Sequence, residues 1–317
     1  MRPAPTGPAP TGPAAARLAI SDLRVRFGDR PVVQIDEFTL GEAEIAGLAG
    51  ESGSGKSMTT LAILGLAHTV GATVSGSIRL DGTELTGRSQ RELRKLRGKQ
   101  IAAIFQSPAT AFSPVFRVGQ VVLGALRLHG MSKAEATEAA TRAMREVLLA
   151  PDLLDRYPAQ LSGGQLQRVA IALALALRAR VLLADEPTSA LDVTVQAEVL
   201  DLLRGLRERE GMSVLLISHD LAVVAEVCDR VGVMQAGRIV EQGPAGQVLS
   251  APRHPYTIEL LAAVPRIAAT PQHDATQDGT AQDGTAQDGA TQDGATQDGA
   301  TQGEAARARP AQNGRAG

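Results

Sequence analysis

Eight consecutive residues, Gly50-Glu51-Ser52-Gly53-Ser54-Gly55-Lys56-Ser57, have the composition and spacing of a loop that wraps phosphate. Glycines let successive backbone N–H groups turn inward around anionic oxygens, and a helix opening near Lys56 adds the partial positive charge of its N-terminus. Lys56 would reach the β- and γ-phosphates of a nucleoside triphosphate, and the Ser57 hydroxyl would ligate Mg²⁺. Met58, next in the helix, is grouped with this loop. Downstream, the apolar run Val181-Leu182-Leu183-Ala184 ends in two acids, Asp185 and Glu186. Asp185 would hold Mg²⁺, directly or through water, and Glu186 would polarise the water that attacks the γ-phosphate. Adjacent acids at a strand end are common in themselves. They gain meaning here from the upstream loop, which brings the phosphate and the metal that such acids need.

Two further groups stand at the ends of apolar strands. Gln106 follows Ile101–Phe105, and His219 follows Val214–Ile217. In an open parallel sheet ligands sit at the C-terminal strand ends, so one crevice would collect Gln106, Asp185 and His219. A second phosphate-binding element is legible in Leu161-Ser162-Gly163-Gly164-Gln165, two glycines and a hydroxyl at the start of an apolar helix. One chain with two such elements suggests that the second serves a nucleotide on another copy.

These residues need a scaffold. Alternating segments Ile20–Phe27 and Val32–Leu40 read as antiparallel strands, and Ser77–Leu80 as another. Glu44–Ala49, Ile101–Phe105, Val181–Ala184 and Val214–Ile217 read as buried strands, with a helix over Val193–Arg209. A largely helical stretch runs from Gly119 to Arg178, with a capping box at Ser132 and Glu135. Arg230–Gln235 and Arg238–Glu241, joined by Ala236-Gly237, read as a hairpin. Strands alternating with helices imply a parallel sheet covered on both faces, with a second, helical subdomain inserted midway.

Composition narrows the function. The chain has 317 residues, 44% of them apolar, a formal net charge of −2, 2% aromatic residues and no Trp. Neither an electrostatic footprint nor base-stacking platforms are evident, so no nucleic-acid partner is expected. The single cysteine, Cys228, fits a reducing compartment and reads as a small buried residue. No secretory signal is visible, and the longest apolar run, Val169–Leu177, is too short to span a bilayer, which takes about 20 residues. Residues 1–16 contain PTGPA twice and residues 270–303 repeat QDG at five-residue intervals, so both ends are expected to be disordered.

The whole pattern resembles the ATP-binding cassette (ABC) transporter ATPases over about Leu18 to Gln242. The implied fold is α/β: a P-loop NTPase cassette with a parallel core sheet, an N-terminal antiparallel β subdomain and an inserted helical subdomain at about 107–180. By resemblance, Gly50–Ser57 is the Walker A loop and Gln106 the Q-loop glutamine, which senses Mg²⁺ and the attacking water. Leu161–Gln165 is the signature, Val181–Asp185 the Walker B strand and Glu186 the catalytic glutamate. Ser189-Ala190-Leu191-Asp192 is the D-loop, and His219 the switch histidine. The family pairs two cassettes head to tail, which implies that Ser162, Gly163 and Gly164 of one chain close on the nucleotide held by Lys56 of the other. Phe27 is the candidate for stacking on adenine, with Phe38 as the alternative, more in keeping with core.

A narrower resemblance, to oligopeptide, dipeptide and nickel importer ATPases, rests on two segments. One is Ser107-Pro108-Ala109-Thr110-Ala111-Phe112-Ser113-Pro114; the other is His254-Pro255-Tyr256-Thr257 with Leu260-Leu261 and Val264-Pro265. It implies a cassette domain at 17–250, an importer-type segment at 251–269 and a low-complexity tail at 270–317. It also implies two membrane permease subunits, a second cassette of the same or a related chain, an extracytoplasmic solute-binding protein and a place on the cytoplasmic face of the membrane. Some relatives bind an iron–sulfur cluster through cysteines after this segment; the region here has none. The rivals are a soluble non-transport ABC ATPase, which would show a sustained heptad run or a second signature, a regulatory cassette without hydrolysis, and an exporter motor.

Overall fold

The computed structural model describes residues 16–106, 111–189 and 191–263. The expectations for residues 1–15, for the 270–317 tail, and for Ser107–Thr110, Ala190, Val264 and Pro265 lie outside the described residues.

Strands β1 (Leu18–Phe27) and β2 (Arg30–Leu40) pair antiparallel through a tight turn at Gly28. Leu18, Ile20, Leu23 and Val25 are all fully buried, although simple alternation would turn Leu23 outward. The chain corrects its phase at Asp22, whose φ of 51° marks a bulge where the register against the neighbouring strand shifts between Ser21 and Arg24. β3 (Ile45–Ala49), buried along its whole length, leads through the Gly-rich loop into α1 (Lys56–Ile63). β4 (Thr73–Leu80) and β5 (Thr83–Glu84) return to the first sheet, whose order is β2-β1-β4-β5. β4 starts earlier than its apolar pattern predicts, because backbone pairing of Thr73, Val74 and Ser75 with β1 extends it.

After α2 (Gln90–Leu96) and β6 (Ile101–Ile104) comes the helical stretch: α3 (Val118–Leu128), α4 (Lys133–Glu146) and α5 (Gly163–Ala176). The Ser132–Glu135 capping box forms as expected. β7 (Val181–Asp185), α6 (Val193–Glu210), β8 (Ser213–Ser218), α7 (Leu221–Val227) and the hairpin β9 (Arg230–Gln235) and β10 (Arg238–Pro244) follow. The described chain closes with α8 (Ala245–Ser250) and α9 (Pro255–Ala262).

The second sheet has the order β10-β9-β3-β8-β7-β6, parallel except for β10. Its two faces feed different cores. Leu182, Ala184, Val214 and Leu216 pack with the helical insertion, while Val181, Leu183, Leu215 and Ile217 pack with α1 and the antiparallel sheet. That two-sided burial is why β7 and β8 are unbroken apolar runs rather than alternating ones. A third cluster, built from Ala49, Val224, Val231, Val233, Val248 and Tyr256, lies beneath the end of β3. Among the described residues no helix is long and apolar enough to cross a membrane.

Candidate active site

The order β3-β8-β7-β6 places the Gly-rich loop, His219, the Asp185–Glu186 pair and Gln106 at the C-terminal ends of successive neighbouring strands. The loop's shape depends on residues without side chains at two points. At Gly50 φ is 151°, and a Cβ there would sit 2.1 Å from the Met234 carbonyl oxygen. At Gly55, which precedes α1 with φ 106°, a Cβ would meet the Met234 side chain at 2.9 Å and the Val32 carbonyl at 3.1 Å. β9 and β2 therefore close on the back of the loop, and only glycine lets it approach them. α1 has no side-chain cap and no acid in its first turn, which leaves its terminal N–H groups to an anion.

Lys56 is 4% exposed and folds back onto the loop, its Nζ donating to the Gly50 carbonyl at 2.6 Å and the Glu51 carbonyl at 2.7 Å. Burial pushes the ammonium below its ordinary pKa, with Glu186, Asp185 and Glu51 pulling the other way. The Ser57 hydroxyl donates to Asp185 Oδ1 at 3.1 Å. Asp185 is 4% exposed; burial pushes its carboxyl up, Ser57 pulls it down, Glu186 raises it further and Lys56 lowers it. A buried carboxylate beside a hydroxyl and a second carboxylate is a donor set suited to a hard divalent cation. Ser52 and Gly53 are exposed, Ser54 is buried, and Met58 is half-buried against the core beneath α1.

The raised pKa of Asp185 has a stability consequence. The folded chain holds this proton more tightly than the unfolded chain does, so stability falls as pH rises from the ordinary carboxylate value through the raised one. Above that window the ionised group is a standing cost unless a cation offsets it. Asp185→Asn is therefore expected to raise the Tm of the nucleotide-free protein at neutral pH while abolishing stabilisation by ATP with Mg²⁺. Differential scanning calorimetry in EDTA, then with MgATP, checks both; a lower Tm in EDTA would mean that the contacts to Ser57 and Lys56 outweigh the burial cost.

Glu186 joins three strand ends. Its Oε2 accepts from Gln106 Nε2 at 2.7 Å, and its Oε1 lies 3.0 Å from His219 Nδ1. Its backbone N–H donates to the Ile217 carbonyl at 2.8 Å, which ties the acid to β8, and its φ is 49°. A non-glycine residue held left-handed beside a cluster of polar groups is the kind of local strain that a site retains. Ser189 Oγ donates to the Glu186 carbonyl at 3.1 Å.

The second phosphate-binding candidate is not joined to this cluster. Ser162 caps α5: its hydroxyl accepts from the Gln165 N–H at 3.2 Å, and its own N–H donates to Gln165 Oε1 at 2.9 Å. Gly163 and Gly164 form the first turn, and a Cβ on Gly164 would lie 2.4 Å from Val195, so this glycine lets α5 approach α6. Asp192 caps α6 by accepting from the Val195 N–H at 3.0 Å. Phe27 ends β1 with 37% of its surface exposed, whereas Phe38 is buried in the core. Cys228 is half-buried and its thiol pKa is pushed up by burial. Three contributors to the loop escape motif reading: Met234, Gly237, whose N–H donates to the Ser54 carbonyl at 2.8 Å, and Tyr256, whose hydroxyl accepts from the Glu51 N–H at 3.1 Å. Nothing local to those residues points to a loop about two hundred positions away.

A glycine loop backed by two strands, a buried lysine, a Ser–Asp pair and a glutamate between Gln and His, all at the C-terminal strand ends of one sheet, define an ATP-binding cassette. The model of the ABC transporter family matches residues 33–189, and that of the oligopeptide/dipeptide transporter C-terminal region matches 240–289. The oligopeptide transport ATP-binding protein OppD of Salmonella typhimurium is 48% identical over 258 residues, covering 79% of this chain and 76% of that protein. The dipeptide transport ATP-binding protein DppD of Escherichia coli is 42% identical over 272 residues, covering 83% of each. The structure of cbiO1 from Clostridium perfringens, part of an ABC transporter complex, superposes with a TM-score of 0.67 at 26% identity, over 75% of this chain and 92% of that one. The chain belongs to the ABC transporter ATPases, in the branch of the oligopeptide and dipeptide importer ATP-binding subunits.

Proposed function

We propose that this chain is the ATP-hydrolysing motor of a peptide importer and works at the cytoplasmic face of the membrane, docked on two separate permease subunits and paired with a second cassette. The observation that carries the catalytic part is Glu186, its two carboxylate oxygens engaged by Gln106 and His219 beside the Ser57–Asp185 pair. In this reading the backbone N–H groups of residues 50–57 and Lys56 bind the phosphates. Ser57 and Asp185, with Gln106 near them, would hold Mg²⁺, which when bound would supply positive charge against that developing on the phosphate oxygens. Glu186 takes a proton from the attacking water, His219 orients Glu186 and contacts the terminal phosphate, and Phe27 packs on the base.

Ser162, Gly163 and Gly164, which engage no phosphate-loop residue in their own chain, are free to meet the nucleotide of a partner cassette. Ser189, Leu191 and Asp192 would lie along that junction. Val115 and Phe116, 72% and 50% exposed on the helical insertion, offer apolar surface to a permease. The solute would arrive from an extracytoplasmic binding protein. The peptide relatives favour peptides over nickel chelates as cargo.

The test is reconstitution of the chain with its genomically adjacent permeases in liposomes, followed by uptake of labelled peptide and of nickel with and without ATP and the binding protein. ATP-dependent peptide uptake is expected. Nickel uptake alone would move the cargo assignment to metal chelates, and ATP turnover that ignores the permeases would favour a soluble ATPase.

A further inference from the structure

The phosphate loop is braced from the C-terminal end of the described chain. Gly50 and Glu51 share one peptide unit, and both of its polar ends are held: the Gly50 carbonyl by Lys56 Nζ at 2.6 Å, and the Glu51 N–H by the Tyr256 hydroxyl at 3.1 Å. Because the peptide is planar, its C=O and N–H turn as one, so neither bond can reorient without breaking the other. This is the unit whose glycine has φ 151° and no room for a Cβ, where the backbone has most freedom to flip.

Tyr256 is in turn immobilised. It is 6% exposed, its ring lies in the apolar cluster with Ala49, Val224 and Val248, and it lies in the first turn of α9. The start of α9 is pinned to the β10 strand by Glu241, whose carboxylate accepts the N–H groups of Arg253 at 2.8 Å and His254 at 3.0 Å. The turn leading into β10 donates its Gly237 N–H to the Ser54 carbonyl at 2.8 Å. Loop, hairpin and α9 thus form a closed circuit of hydrogen bonds around the nucleotide end of β3.

We propose that Tyr256 is a positioning residue for the phosphate loop, through which α9 sets the affinity of the chain for ATP. The hydroxyl orients the Gly50–Glu51 peptide so that Lys56 rests on its carbonyl and the remaining loop donors face the phosphates. The proposal rests on residues 50–57 being the nucleotide site.

The test measures equilibrium binding of a fluorescent ATP analogue and steady-state ATP hydrolysis, in Mg²⁺, for the full chain, the single variants Tyr256→Phe, Glu241→Ala, Ile258→Ala and Lys56→Ala, and the double variant Tyr256→Phe with Glu241→Ala. Losing one hydrogen bond that orients the loop is expected to raise Kd and KM for ATP by about 3- to 10-fold in Tyr256→Phe, with kcat changed by less than about twofold. Glu241→Ala, which frees the helix start, should shift Kd in the same direction, and the double variant should bind no worse than the weaker single one, since both cut one circuit. Ile258→Ala, on the exposed side of α9, should match the parent chain. Unchanged Kd in Tyr256→Phe overturns the proposal, as does a fall in kcat and Tm with KM unaltered, which would make Tyr256 a packing residue only. If the parent chain and Lys56→Ala bind ATP equally, the nucleotide-site reading falls instead.

Discussion

Glu186→Gln is expected to bind ATP with near-parental affinity and to hydrolyse it at least about 100-fold more slowly, the range lost with a positioned general base. The substitution keeps shape and polarity. A glutamine oxygen would still accept from Gln106 Nε2, and its amide would face His219 Nδ1, so the contacts observed at 2.7 and 3.0 Å have replacements. Only the ability to take a proton is lost. Binding should persist because Lys56, Ser57 and the loop backbone are untouched. With hydrolysis blocked, the ATP-bound pair of cassettes should accumulate, visible as a dimer by size-exclusion chromatography in MgATP. Single-turnover kinetics would check the rate; if turnover stays within about tenfold of the parent, Glu186 is not the base and His219 becomes the candidate.

Lys56→Ala is expected to fail earlier, at binding. Its Nζ is the charge held inside the loop, on the Gly50 and Glu51 carbonyls. One or two charge-assisted hydrogen bonds to phosphate are at stake, enough for a loss of about 10- to 100-fold or more in ATP affinity. The fold should survive, because burial already holds this ammonium below its ordinary pKa and removing it also removes a desolvation cost. Isothermal titration calorimetry gives the affinity. Undiminished binding would count against residues 50–57 as the phosphate-binding loop.

Much of this was legible in the linear chain because it is local. A glycine loop after a short apolar strand, two acids closing another strand and a Ser-x-x-Glu start to a helix are each decided within a few residues, by backbone geometry and by which faces are buried. The fold class followed from the alternation of such segments, and the strand ends named Gln106, Asp185 and His219 as groups for one crevice. The bulge at Asp22, which returns Leu23 to the core, was not legible, since it depends on pairing with β4 across the sheet.

Only tertiary structure decided how the pieces engage. The strand order brings Gln106 and His219 onto opposite oxygens of Glu186, a contact between residues 80 and 33 positions apart. It seats the Met234 carbonyl where a side chain at Gly50 would be, and it carries Tyr256 to Glu51. It also shows Ser162 and Gln165 capping their own helix. Amino-acid pattern determines which residues can form a strand end, a turn or a cap, because those preferences act over a few bonds. Which ends meet is set by sheet order and core packing, which sum weak preferences over the whole chain and leave no local mark.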